Sequence, residues 1–323
     1  MKQQETYAND LEGRLQSGLG SNRVEVINAG QIGYSSYQGV RYFQDVILPL
    51  RPDIITISYV INDVDKYRFY QNNMVADSAV QHLPEFLIRV ENILSHSHFY
   101  RFYRRLLNQS RSTSHQFFGR RGQGEFREGR RVSLAEYRAN ILTIIRLAKD
   151  QGIDVVLMKM PVNLPSAVVV SDEDRARADT IIGRARTMAA DNKTDEAIQL
   201  LQQALTFNAS SARAHFYLGT YYEGLGQREK AKSYFEKTVL MELYECAALA
   251  GEYHRVLENV AAAEGLVVVD LVSASAAFER SQGGYLFLDP QHDTIHPNAQ
   301  GHRVIGAALY EALRKFSRLS QLQ

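Results

Sequence analysis

Apolar and polar positions along the chain alternate between helical and strand periods. From Tyr7 to Gln16, Leu11 and Leu15 stand at i, i+4 spacing with Gly18 and Gly20 behind them, which predicts a short helix. Val24-Glu25-Val26-Ile27-Asn28 predicts a strand, and Ser36 to Leu50 predicts a helix ended by Pro52. Asp53 to Tyr59 is a nearly continuous apolar run of strand length, the pattern of a parallel strand buried on both faces. A second helical region covers roughly Asp77 to Leu107. Ser133-Leu134-Ala135-Glu136 is a capping box opening a helix that Gly152 closes. Asp154 to Met160 is the next buried strand, stopped by Pro161. A helix from about Glu252 to Glu264 leads through Gly265 into a strand at Leu266 to Asp270, and a last helix runs from about Asn298 to Arg318. Four strands alternating with helices predict an α/β fold with a parallel sheet and right-handed crossovers.

About ninety residues between Met160 and Glu252 break this alternation and carry an internal repeat. Asp195-Glu196-Ala197 aligns with Glu229-Lys230-Ala231, Leu201 with Phe235, and Ala204 with Thr238, each pair 34 positions apart. The second unit adds Leu218-Gly219-x-x-Tyr222 and a turn at Gly226. Period and residues resemble a tetratricopeptide repeat, in which small residues such as Gly219 and Ala231 let two helices approach closely. The predicted organisation is an α/β domain from 1–175 and 246–323 with a helical insert at 176–245. The insert reads as a docking surface for a partner peptide, as a lid, or as a helical spacer. Two repeats fall short of the ~3 that stand alone, so it is expected to pack on the main domain.

Composition narrows the classes. A net charge of +1 argues against a polyanion partner, and no nucleic acid is expected. The single cysteine, Cys246, excludes an intramolecular disulfide and a cysteine metal cluster. No run reaches the ~18 apolar residues of a membrane span, and the polar opening Met1-Lys2-Gln3-Gln4-Glu5 has no signal-peptide core. The chain therefore reads as soluble in itself, with its location open. No Walker-type loop is present, and Gly30-x-x-Gly33 lacks the glycine spacing of a dinucleotide fingerprint. His96 and His98 alternate without matching carboxylates and read as surface histidines. No cofactor or metal is implied.

Three stretches carry candidate chemistry. In Asp293-Thr294-Ile295-His296-Pro297-Asn298, followed by Gly301-His302, a carboxylate three residues before a histidine can fix one imidazole nitrogen and leave the other as a general base. The same residues suit a turn, with Asn298 capping the last helix. Asn28-Ala29-Gly30-Gln31-Ile32-Gly33 and Val60-Ile61-Asn62-Asp63 follow two predicted parallel strands, at the strand ends where open α/β sheets bind ligands. A glycine N–H and an asparagine side chain there could hold an oxyanion; equally, they could serve only a tight turn and its backbone.

In this order the three stretches resemble the GDSL/SGNH hydrolases, across essentially the whole chain apart from the insert. The resemblance implies a three-layer α/β/α sandwich with a flavodoxin-like parallel sheet. It implies Asp293 and His296 as triad acid and base, and Gly33 and Asn62 as oxyanion donors. The activity implied is serine-type ester hydrolysis or acyl transfer on an ester-bearing small molecule or an acylated glycan. The family includes lipases, thioesterases, carbohydrate acetylesterases and enzymes that acetylate extracellular polysaccharide. One departure is Val60, where the family commonly has glycine two residues before the asparagine; its β-branch restricts the backbone there.

The family's nucleophile lies in a Gly-Asp-Ser stretch after the first strand, and no such stretch occurs here. Ser17 and Ser21 fall at the end of the first helix, and Ser35 and Ser36 match no nucleophile pattern. In a 2-1-3-4-5 sheet the absent strand would stand between those at 24–28 and 53–59. The expectation is an N-terminally truncated esterase, with an upstream anchor possible. The competing reading is an inactive binding or scaffold protein acting through the repeat insert.

A basic stretch completes the picture. Arg101, Arg104, Arg105, Arg111, Arg120, Arg121, Arg127, Arg130 and Arg131 are interleaved with Tyr100, Phe102, Tyr103, Phe117 and Phe118. Such a stretch can bind anionic polymers or headgroups, but reads first as a mobile solvated loop rich in glycine and serine.

Overall fold

The computed structural model describes residues 6–20, 24–64, 76–79, 130–163, 170–289, 293 and 295–320. The first helix, α1 (Tyr7–Leu19), buries Leu11, Leu15 and Leu19 at successive i+4 steps and ends at Gly20 in the left-handed region. Helix α2 (Ser36–Tyr42) continues as a π-turn over Phe43–Ile47 and a 3-10 turn over Leu48–Leu50. Strand β1 (Ile54–Ile57) leads into the short helix α3 (Ile61–Val64). Helix α4 (Leu134–Asp150) starts at the expected capping box: the Ser133 hydroxyl accepts the Glu136 N–H, and the Glu136 carboxylate accepts the Ser133 N–H. Strand β2 (Asp154–Lys159) follows.

Four helices come next: α5 (Asp172–Ala190), α6 (Thr194–Phe207), α7 (Ala212–Gly224) and α8 (Arg228–Glu264). Strand β3 (Val267–Asp270) then runs directly into α9 (Leu271–Gln282), a helix the sequence pattern did not announce. Helix α10 (Ala299–Leu313) and the short α11 (Ser317–Ser320) close the chain. The helix expected from about Glu252 begins at Arg228 instead. Residues 239–251 hold no proline, and Gly251 is tolerated inside the helix at a cost of about 1 kcal/mol.

The chain divides into two compact units, with boundaries at Ser78/Ala79, Glu128/Gly129, Val169/Val170 and Glu242/Leu243. The first holds a parallel three-stranded sheet in the order β1-β2-β3. Side chains alternate across it with period two. Ile55, Ile57, Val155 and Leu157 join Tyr137, Ile141 and Ile144 of α4 and Tyr253 and Leu257 of α8 in one core layer. Val156, Met158 and Val269 join Leu11, Leu15 and Leu19 of α1 and Ile305 and Leu309 of α10 in the other. Helices therefore cover both faces, as an all-parallel sheet requires.

The strand expected at 24–28 does not form. Val24 and Val26 pack beside α1, and the backbone there is satisfied by α1 side chains rather than a ladder. The Val26 N–H donates to the Glu12 carboxylate at 2.6 Å, and the Val24 carbonyl accepts from Gln16 Nε2 at 3.0 Å. The described sheet thus has three strands rather than four, with β1 at its edge and Thr56 exposed.

In the second unit, three of the pairs aligned by the 34-residue period are core positions, while Asp195, Glu196, Glu229 and Lys230 are exposed. Ala197 and Ala231, Leu201 and Phe235, and Ala204 and Thr238 are all buried. Gly219 meets the Phe235 ring, where a Cβ would lie 2.7 Å from a ring carbon, so only glycine permits this approach of α7 to α8. No helix among the described residues is long and apolar enough to cross a membrane.

Candidate functional site

Asp293 and His296 meet. The imidazole Nδ1 lies 3.0 Å from each carboxylate oxygen, and Asp293 Oδ1 also accepts the main-chain N–H groups of Ile295 (3.0 Å) and His296 (2.9 Å). The carboxylate is held by its own loop and is 18% exposed, while the imidazole is 67% exposed. Nδ1 against two carboxylate oxygens carries the proton, so Nε2 is the unprotonated nitrogen of the neutral ring.

The loop is braced on the far side. Leu288 N–H donates to the His296 carbonyl and Asn298 N–H to the Leu286 carbonyl, both at 2.9 Å, around an antiparallel bridge between Phe287 and Pro297. Asn298 does two jobs. Its Oδ1 caps α10 by accepting from Gln300 and Gly301 N–H, and its Nδ2 donates to the carbonyls of Tyr285 and Phe287. The turn-and-cap reading and the paired Asp–His arrangement therefore coexist. Gly301 is required by proximity: a Cβ there would stand 2.3 Å from the Leu286 carbonyl oxygen.

Asn163, in the segment leaving β2, donates from Nδ2 to the Asp293 carbonyl at 3.3 Å. This ties the Asp–His loop to the carboxyl edge of the sheet. Asn62 sits in α3, which leaves the same edge after β1, the parallel neighbour of β2. Its half-buried side chain makes no hydrogen bond among the described residues. Val60 is core, and its carbonyl accepts the N–H groups of Asp63 and Val64 to start this turn.

Gly33 occupies a turn in which Gln31 O accepts the Tyr34 N–H at 3.3 Å, and its φ of 78° is the left-handed value glycine adopts freely. A buried arginine locks the turn. Arg131, expected to belong to a solvated basic loop, is only 4% exposed. Its guanidinium donates to the Gly33 carbonyl, Gln38 Oε1 and Asp77 Oδ1, each at 2.8 Å. Asp77 also accepts the Ser35 hydroxyl and returns its own N–H to the Arg131 carbonyl. Arginine's planar fork suits such three-way contact, and burial is tolerable because Asp77 supplies the counter-charge. Arg130 pairs with Glu252 at 2.8 Å; the other arginines of the basic stretch lie outside the described residues.

Ser36 joins the Gly33 and Asn62 turns. Its N–H and hydroxyl both donate to the buried carboxyl of Asp63, and Asn140 Nδ2 donates to its hydroxyl at 3.0 Å. Desolvation raises the Asp63 pKa to about 7, against the lowering effect of the Ser36 bonds and of Arg131. Asp63 is thus a structural clamp beside Asn62. Gly33 and Asn62 are joined through Ser36 and Asp63, and Asp293 and His296 are joined directly. Among the described residues no hydrogen bond links the two pairs.

Ser35 and Ser36 are buried and committed to carboxylates, while Ser17 is exposed near the C-terminal end of α1. No group of three or more potential metal ligands occurs among the described residues. A groove of about 610 Å³ along the outer edge of β3, lined by Val267, Glu311, Lys315 and Phe316, includes none of the site residues. No family model matches the chain, and no curated protein matches it.

Proposed function

We propose that this chain is built for serine-type ester hydrolysis or acyl transfer of the GDSL/SGNH class, on an ester-bearing small molecule or an acylated glycan. The observation that carries the reading is the Asp293–His296 pair, with Nδ1 on the carboxylate and an exposed ring at the carboxyl edge of a parallel sheet. The α/β/α layering and the Gly33 and Asn62 turns support it.

In this reaction a serine Oγ loses its proton to His296 Nε2 and attacks the ester carbonyl carbon. The resulting oxyanion takes hydrogen bonds from the Gly33 N–H and the Asn62 amide. Each such donor is worth ~10²–10³ in turnover. His296 then returns the proton to the leaving alcohol, and water or an acceptor hydroxyl releases the acyl group by the same steps in reverse. Asp293 keeps Nε2 free and stabilises the imidazolium.

The nucleophilic serine is not supplied by Ser17, Ser35 or Ser36. That observation favours a second reading, an inactive binding protein acting through its helical unit. A fusion separates the two: an apolar strand ending in Gly-Asp-Ser joined ahead of residue 1. The hydrolase reading expects a fluorophosphonate to label that serine in the fusion and to label nothing in the parent chain. A folded fusion that takes no label favours the binding protein.

A further inference from the structure

The second unit carries a surface that ester chemistry does not use. Tyr222 of α7 and Tyr234 of α8 stack with ring centroids 5.4 Å apart and planes 10° from parallel. Lys230 Nζ lies 5.1 Å from the Tyr222 centroid, and Lys237 Nζ lies 5.3 Å from that of Tyr234. Lys230, Tyr234 and Lys237 follow i, i+4, i+7 spacing and so share one stripe of α8. Glu229 and Glu236 fall on the adjacent stripe. Among the described residues neither lysine has a carboxylate within ion-pair distance, and both are exposed. Gln202 of α6 reaches the Tyr222 hydroxyl at 3.5 Å.

These contacts select the ligand. Each ring has one face against its partner and carries an ammonium over its π-system. Sugars and nucleobases need an open ring face to stack, and this stack offers little of one. What it presents outward is two exposed ammonium groups, each restrained by cation–π contact with a ring of the stack. Restrained cations without counter-charges suit carboxylates, and two of them seven residues apart along one helix stripe suit carboxylates spaced along one chain.

We propose that Lys230 and Lys237, over the Tyr222–Tyr234 stack, form a docking site for an acidic peptide segment. The site is independent of the ester chemistry proposed above and stands or falls separately from it.

The test is isothermal titration of the full chain at low salt with an acetylated, amidated hexaglutamate peptide, against hexaglutamine and a hexagalacturonate. Hexaglutamate is expected to bind, hexaglutamine not to bind, and the uronate to bind more weakly than hexaglutamate. The double variant Lys230→Ala/Lys237→Ala should weaken hexaglutamate binding at least tenfold with an unchanged circular dichroism spectrum, both side chains being exposed. No binding by the parent chain, equal binding by the double variant, or preference for the uronate would each overturn the proposal.

Discussion

Both carboxylate oxygens of Asp293 lie 3.0 Å from His296 Nδ1, and the same carboxylate accepts the N–H groups of the two residues that carry the imidazole into place. One side chain thus shapes the loop and selects the tautomer. In Asp293→Ala the neutral ring should revert to the Nε2–H form that free imidazole side chains favour, which ¹⁵N shifts of the ring nitrogens report directly. Stability should fall by about 0.5–1.5 kcal/mol for each main-chain hydrogen bond lost. An unchanged tautomer would remove Asp293 from the role of orienting group.

Arg131 holds the Gly33 turn, Gln38 and Asp77 from a buried position. Arg131→Ala leaves the Asp77 carboxylate buried without its counter-charge, and about 3–5 kcal/mol of stability should be lost in urea unfolding. Arg131→Lys should recover only part of this, because one ammonium cannot meet three acceptors across a planar fork. Full recovery by lysine would mean that charge alone matters there.

Asp63 gives the fold a pH slope. Its carboxyl titrates near 3.8 when unfolded and at about 7 in the folded protein, chiefly through desolvation. Between these values the unfolded chain binds fewer protons, so this contribution weakens as pH rises. It is complete below the unfolded value and lost as pH passes the folded one. Asp63→Asn keeps an acceptor for Ser36 without the titration. Unfolding midpoints at pH 5 and pH 8 should therefore differ less in the variant than in the parent chain. An equal difference would place the slope elsewhere.

Gly301 and Gly13 make opposite predictions. A Cβ at Gly301 would collide with the Leu286 carbonyl and with Pro297, whereas at Gly13 in α1 nothing lies within 4 Å. Gly301→Ala should cost about 1–3 kcal/mol and shift the loop carrying His296. Gly13→Ala should stabilise by about 0.5–1 kcal/mol. Denaturation midpoints measured side by side decide both.

What could be read beforehand divides by range. The Asp293–His296 pair and the Ser133 and Asn298 caps act over two or three residues, so residue type and spacing were enough to expect them. The Arg131–Gly33 contact spans 98 positions and starts from one arginine in a run of similar ones, so nothing local marked it as buried. Val24 to Asn28 has the alternation of a strand, but a strand also needs a neighbour, and the segment instead borrows Glu12 and Gln16 from α1. The unbroken α8 was hidden because a repeat pattern ended inside it, and the end of a pattern is not the end of a helix.

The most direct measurement is hydrolysis of p-nitrophenyl acetate by the fusion carrying the Gly-Asp-Ser strand, beside the same fusion with His296→Ala or with Asp293→Asn. The account predicts turnover well above the parent chain, abolished by His296→Ala and strongly reduced by Asp293→Asn, with all three proteins unfolding cooperatively. Folded fusions whose turnover ignores both substitutions would contradict it.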